Sequence, residues 1–200
     1  MSSPGSSNAK NKPLCRSQGL TLVELVVTLA LVGVLAGLAA PGFSGLVQRY
    51  KADLAASQMV AALNLARLEA LRRGGGVAVQ RLEEASCPRP DSVQDWSCGW
   101  VVFADRDGDG LFNPGTRSGR ATSATPDQLI QVFRVADGTS VMRSLNLRSF
   151  GVNRWGQLGG VNLGFTFTPP NNRLDSTFQV CSATGGRIRK LPTTVACSAS

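Results

Sequence analysis

Asp105-Arg106-Asp107-Gly108-Asp109-Gly110 sets three carboxylates at alternate positions, with glycine directly after the last. Calcium loops take ligands at positions 1, 3 and 5 and need glycine at 6 for the sharp turn. Position 12 of such a loop supplies a bidentate glutamate, and here it is Thr116. A β-turn rich in Asp and Gly accounts for the same residues without a metal. The expectation is therefore no cofactor, with calcium on Asp105, Asp107 and Asp109 as the single candidate left open. Glu83-Glu84 has no catalytic companion and reads as a solvated loop. There is no histidine, which removes Ser-His-Asp and Cys-His catalysis and the nitrogen ligands of most zinc sites. An enzyme is not expected; a membrane-anchored periplasmic hydrolase using aspartates stays as a remote alternative.

Cysteines occur at 15, 87, 98, 181 and 197, and no two stand in a CxxC pair. Setting aside Cys15 in the polar N-terminal stretch leaves an even number, as expected of disulfides made in an oxidising compartment. Four cysteines allow three connectivities. The expected one is Cys87–Cys98 with Cys181–Cys197, each closing a short loop worth about 3 kcal/mol in the chain-entropy account. Trp96 and Trp100 bracket Cys98 and are expected in a core. The net charge is +8, and beyond Gly19 the bases are almost all arginine, a surface that suits phosphates and acidic partners.

The elements that must position these groups begin with an unusual N-terminus. Residues 1–19 are polar and carry Lys10, Lys12 and Arg16, and the run from Leu20 to Phe43 holds one ionisable side chain, Glu24. As a helix that run spans about 36 Å, enough to cross a bilayer. The preceding bases hold the leader on the cytoplasmic side. Thr21-Leu22-Val23-Glu24 fits a capping box; alternatively, Glu24 pairs with a new amino terminus made by cutting after Gly19. Residues 44–73 continue as an amphipathic helix. Leu54, Ala61, Leu65 and Leu68 fall on one face, Met59, Leu63, Ala66 and Ala70 on an adjacent one, and Arg49, Lys51, Asp53, Arg67, Arg72 and Arg73 on the polar side. Pro41 predicts a kink, and Gly74-Gly75-Gly76 ends the helix.

Beyond it, strands are predicted at Val77–Leu82, Gly99–Ala104, Leu129–Val135, Leu145–Phe150, Val161–Thr168, Ser176–Cys181 and Arg187–Leu191. The fold class is α+β: a long N-terminal helix packed on a small antiparallel β-domain over 74–200. Such a chain cannot bury Leu20–Phe43 by itself and needs lipid or similar helices, which makes it an assembly subunit.

QGLTLVELVVTLALVGVLAGLAAPGF resembles the leader junction and N-terminal helix of type IV pilins and their secretion relatives, with Gly19, Leu20, Thr21, Glu24 and Pro41 in matching places. Leu20 stands where phenylalanine or methionine is commoner. RYKADLAASQMVAALNLARLEALRRG, DWSCGWVVFADRDGDG, and the strand through Cys181 to GGRIRK are similar to the GspH/FimT family of minor pilins and pseudopilins. The resemblance implies removal of residues 1–19 by a prepilin peptidase and N-methylation of Leu20. It also implies a single pass through inner-membrane lipid, a periplasmic globular domain, and assembly with other pilins through the helix, Glu24 assisting. Pilus biogenesis and an H-type pseudopilin of type II secretion are both consistent with it. Within the family, Gly186-Arg187-Ile188-Arg189 resembles the DNA-binding element of transformation pilins, with Lys190 adding charge; a basic edge strand that blocks aggregation explains the same residues.

Overall fold

The computed structural model describes residues 21–84, 87, 92–117, 120–121, 126–159, 163–183, 186–193, 195 and 197, with the side chains of 39–42, 116–117, 120–121 and 163 excepted. Gly19 and Leu20 lie outside these residues. Helix α1 runs from Leu22 to Arg73. Thr21 caps it: the Glu24 amide donates to Thr21 Oγ1 at 3.2 Å and the Leu25 amide to the Thr21 carbonyl, satisfying donors that the first turn leaves without partners. At the other end Gly74, Gly75 and Gly76 all have positive φ. The Gly75 amide returns to the Ala70 carbonyl at 2.8 Å, the long hydrogen bond of a Schellman cap, which needs a left-handed residue just past the helix.

The chain divides into two units at Pro41/Gly42. The kink expected at Pro41 falls among side chains that are not described. In the first unit, Leu22 to Leu38 exposes its large apolar side chains all round, from Leu22 at 81% to Leu38 at 74%. Among the described residues no single helix is long and apolar enough to cross a membrane, although Leu22–Leu38 and Phe43–Arg73 taken together meet that test by length and composition.

In the second unit α1 buries Ala52, Ala55, Ala56, Met59, Ala62, Leu63, Ala66 and Ala70. This is the 3–4 spacing of one helix face. Leu54 and Leu68, predicted on the neighbouring apolar face, are exposed. The choice is steric: alanines bring the helix axis close to a sheet surface already filled by tryptophan and phenylalanine, and a stripe of leucines would hold it off.

Ten strands follow: β1 Val77–Arg81, β2 Trp100–Ala104, β3 Thr116–Arg117, β4 Arg120–Ala121, β5 Gln128–Phe133, β6 Ser140–Arg143, β7 Ser149–Val152, β8 Leu163–Thr168, β9 Phe178–Ser182 and β10 Ile188–Pro192. They form two antiparallel four-stranded sheets, ordered β5-β2-β1-β7 and β10-β9-β8-β6, with β3-β4 as a separate pair. One core joins both sheets to the helix: Val77, Val79, Trp100, Val102 and Phe150 from the first sheet meet Val141, Phe165, Phe167 and Val180 from the second, with Trp96 between. Trp96 and Trp100 are fully buried. The other face of the first sheet is covered as well, where Ala78, Val101 and Phe103 pack with Phe112.

The strand predicted over Leu145–Phe150 is replaced by β6 and β7, with a turn between them. Arg143, at the end of β6, explains the difference. It is 2% exposed, and its Nη1 donates to the carbonyls of Leu147 at 2.7 Å and Ser149 at 3.3 Å. Those acceptors converge only if 144–148 turns. Trp96, Phe150 and Phe165 surround the guanidinium at 5.5, 4.9 and 5.9 Å. Among the described residues no carboxylate pairs with it, and desolvation pulls its pKa down to about 10, so it remains a cation at neutral pH, held by ring faces and carbonyl dipoles. Because this one side chain ties the two sheets together, Arg143→Ala is expected to cost about 3 kcal/mol through lost packing and cation–π contact. Denaturant unfolding with the disulfides intact measures it; a change under about 0.5 kcal/mol, the scale of an ordinary surface site, would show that the seam does not depend on the cation.

Candidate functional site

The basic tail lies on β10, an edge strand of the second sheet. Arg189 is opposite Cys181 and Lys190 is opposite Val180. Since side chains alternate between faces, Lys190 turns with buried Val180 toward α1, and Arg187 and Arg189 turn the other way. Lys190 Nζ lies 2.7 Å from Asp53 Oδ1 and 3.1 Å from Ser57 Oγ. The predicted grouping of Lys190 with the two arginines is thereby changed: its ammonium binds the helix. Arg67 Nη1 donates to the Gly186 carbonyl. Gly186 has φ +79°, a backbone conformation that favours glycine, and a Cβ there would lie 3.0 Å from the Arg67 guanidinium, which would have to shift. Asp53, Ser57 and Arg67 thus hold the β9–β10 hairpin on the helix. Asp53 and Arg67 stand on the polar side of the helix as their spacing predicts, and nothing in that spacing marks partners well over a hundred residues away. Arg187 remains exposed.

Cys181 is bonded to Cys197 and Cys87 to Cys98, each with Cα atoms 5.5 Å apart. The first bridge fixes the chain beyond β10 beside Arg189; the second ties residue 87 to the segment carrying Trp96 and Trp100.

Asp105, Asp107 and Asp109 bring carboxylate oxygens within 4.8 Å of one another. Their partners are mostly the loop itself. Asp105 accepts from the amides of Gly108 at 2.8 Å and Gly110 at 3.0 Å. Asp107 accepts from the Asp109 amide, and Asp109 from the Leu111 amide and Asn113 Nδ2. Partial burial raises the Asp105 pKa, opposed by those two amides. A residue outside the motif clamps the loop: Asp127, buried, accepts from the Arg106 and Asn113 amides, both at 2.8 Å. The Phe112 amide also donates to Gln80 Oε1, which seats the loop on the first sheet.

Glu24 is exposed at the start of α1, where the Thr21 cap holds its amide. The helix therefore presents a carboxylate at its positive end, followed by apolar side chains on every side.

Residues 55–191 match the family model described as type II transport protein GspH. The chain belongs to the GspH family. Residues 14–40 match the prokaryotic N-terminal methylation motif. GspH proteins are minor pilins and pseudopilins, non-enzymatic filament subunits that assemble with other pilins or pseudopilins, and the methylation motif with the family implies a membrane-anchored subunit. A curated relative, pilin-like protein PilA1 of Thermus thermophilus, is 34% identical over 102 residues; the match covers 51% of this chain and 57% of that protein, little more than half its length. The crystal structure of the type IV minor pilin FimU of Pseudomonas aeruginosa is 18% identical with a TM-score of 0.52, covering 76% of this GspH-family chain and 96% of FimU, a likeness of fold. The minor pseudopilin EpsH from the type 2 secretion system of Vibrio cholerae is 14% identical with a TM-score of 0.45 over 71% of this chain and 97% of that one.

Because amide donors already close the aspartate loop, excess chelator is expected to leave the melting temperature of the protein unchanged, whereas Asp127→Ala is expected to lower stability by about 1 kcal/mol by leaving two partly buried amides without their acceptor. A chelator-induced fall in melting temperature would instead assign calcium to Asp105, Asp107 and Asp109.

Proposed function

We propose that this chain is a minor pilin, inserted in the inner membrane by Leu20–Phe43 after removal of residues 1–19, that primes or caps a type IV pilus-like filament. The observation that carries the reading is the helix from Leu22 to Leu38, whose leucines and valines are exposed on every side. Burying each is worth roughly 1.5–3 kcal/mol. The described chain offers these side chains no cover, and lipid followed by neighbouring helices would. Glu24 lies within one turn of the amine that cleavage after Gly19 would create. A carboxylate is favoured there by both the amine and the helix dipole, and the same group on a subunit below would offer an alternative partner during assembly.

A pseudopilin role in type II secretion is the second reading, favoured by the description of the family whose model matches residues 55–191. For either filament, DNA contact by Arg187 and Arg189 is a further part of the proposal. Two arginines alternate on an edge strand, held by the Cys181–Cys197 bridge and by the helix through Arg67 and Lys190. Preordering of this kind lowers the cost of binding, and contacts to phosphates carry no base information.

Mass spectrometry of membrane-extracted protein is expected to find an N-methylated Leu20 terminus. Met1, or a terminus within the globular region, would remove the pilin reading. Glu24→Ala should leave cleavage intact and sharply reduce incorporation into filaments. In a mobility-shift assay of the detergent-solubilised chain, two phosphate contacts predict a log–log salt slope of about −1.8 for duplex DNA. Arg187→Gln with Arg189→Gln should abolish the shift at unchanged melting temperature. Equal binding by wild type and double variant would move the DNA contact elsewhere.

A further inference from the structure

Of the tryptophans, Trp96 and Trp100 are fully buried, whereas Trp155 is 69% exposed on the turn after β7. That turn is rigid. Asn153 Oδ1 accepts from the Trp155 amide at 2.9 Å and the Gln157 amide at 3.0 Å. The Gly156 amide donates to the Asn153 carbonyl, the Asn153 amide to the Gln157 carbonyl, and Asn153 Nδ2 to Gln157 Oε1. A large apolar ring on a turn braced this well loses little freedom on binding. Arg154 stands 5.2 Å from the indole centroid.

The position of this turn gives the indole a partner chemistry. A Cβ at Gly156 would lie 3.6 Å from Arg67 Nε, and one at Gly186 would lie 3.0 Å from Arg67 Nη2. The residues following Trp155 and preceding Arg187 therefore rest against one guanidinium, the one that donates to the Gly186 carbonyl. Arg154, Trp155 and Arg187 are all exposed around that point. Glu69, on the next half-turn of α1, is already engaged by Arg72 and Arg73, and the hydrogen bond from Arg72 leads in holding its carboxyl down to about 2. An exposed indole with Arg154 over one face of its ring, on a turn that shares the Arg67 guanidinium with the segment leading to Arg187, offers a second face for stacking and bases for phosphates, the combination that single-stranded nucleic acid requires.

We propose that Trp155 is a base-stacking residue and that, with Arg154 and Arg187, it forms a site for single-stranded nucleic acid. The inference rests on the DNA reading of the basic tail and goes beyond it: phosphate contacts at Arg187 and Arg189 alone do not distinguish single strands from duplex by stacking, whereas an indole takes only an unpaired base. Because every base has a π-face, the site tolerates any sequence.

The test titrates the detergent-solubilised full chain with a fluorescein-labelled oligothymidylate about 12 nucleotides long and with a mixed-sequence duplex of the same length. Trp155→Ala is expected to weaken oligothymidylate binding about tenfold or more, with little change for duplex and an unchanged melting temperature. Its salt slope should match that of wild type, since stacking releases no counterions. Trp155→Phe should restore most of the affinity, and Arg187→Gln with Arg189→Gln should remove binding to both probes. If Trp155→Ala binds oligothymidylate as tightly as wild type while the arginine variant does not, the stacking site is refuted and the basic tail stands. If wild type binds neither probe at low salt, both fall. Loss of filament incorporation in Trp155→Ala, with oligothymidylate binding unchanged, would assign the indole to a neighbouring subunit and overturn the proposal.

Discussion

Helix α1 meets the β-domain through Ala55, Ala56, Ala62, Ala66 and Ala70, with Met59 and Leu63 filling the gaps. Two sheets share one core with a single helix here, so the helix must come close enough for its face to touch aromatic rings from both. Small residues permit that approach, and the rings supply the apolar bulk. The position of the sheets follows from this contact, and so does the hairpin of the basic tail, because Asp53, Ser57 and Arg67 project from the flanks of the same helix face.

The helix meets a different requirement at each end. From Leu22 to Leu38 its large apolar side chains are exposed on all sides. From Ala52 onward it is apolar toward the sheets and mixed elsewhere. The family to which the chain belongs consists of filament subunits, and the second stretch is matched to the core within. Stability of the globular part is thereby carried by the second stretch alone, and substitutions in the first can leave it unharmed.

Some polar groups inside the domain are held by partners close at hand, whereas Arg143 Nε and Nη2, the Trp96 and Trp100 indole nitrogens and the Thr139 hydroxyl have no hydrogen-bond partner among the described residues. Arg143 has ring faces and two carbonyls in place of a carboxylate; Asp127 takes two amides; the aspartates at 105, 107 and 109 take those of their own loop. Each arrangement fixes a turn that regular hydrogen bonding would leave free, which is how so short a chain holds long connections between small sheets. The two disulfides act where strands end, at the segment before β2 and beyond β10.

Much of this protein could be read along the chain. The apolar run with its lone Glu24, the end of the helix at three glycines, the α+β class and the β10 edge strand all depend on neighbours a few residues apart, where periodicity and turn chemistry act. What tertiary structure alone decided involved choices between faces or contacts between distant residues. Met59, Leu63, Ala66 and Ala70 and the leucine face at 54 and 68 were both apolar stripes, and only the ring-filled surface of the sheets selected the smaller one. Ser140–Arg143 became a strand because Arg143 found Trp96, Phe150 and Phe165, a set assembled from three separate parts of the chain. Lys190 turned to Asp53, and the turn after β7 and the Gly186 end of the hairpin both came to rest against Arg67. Such pairings are set by the packing of one element on another, a distance that spacing in sequence does not encode.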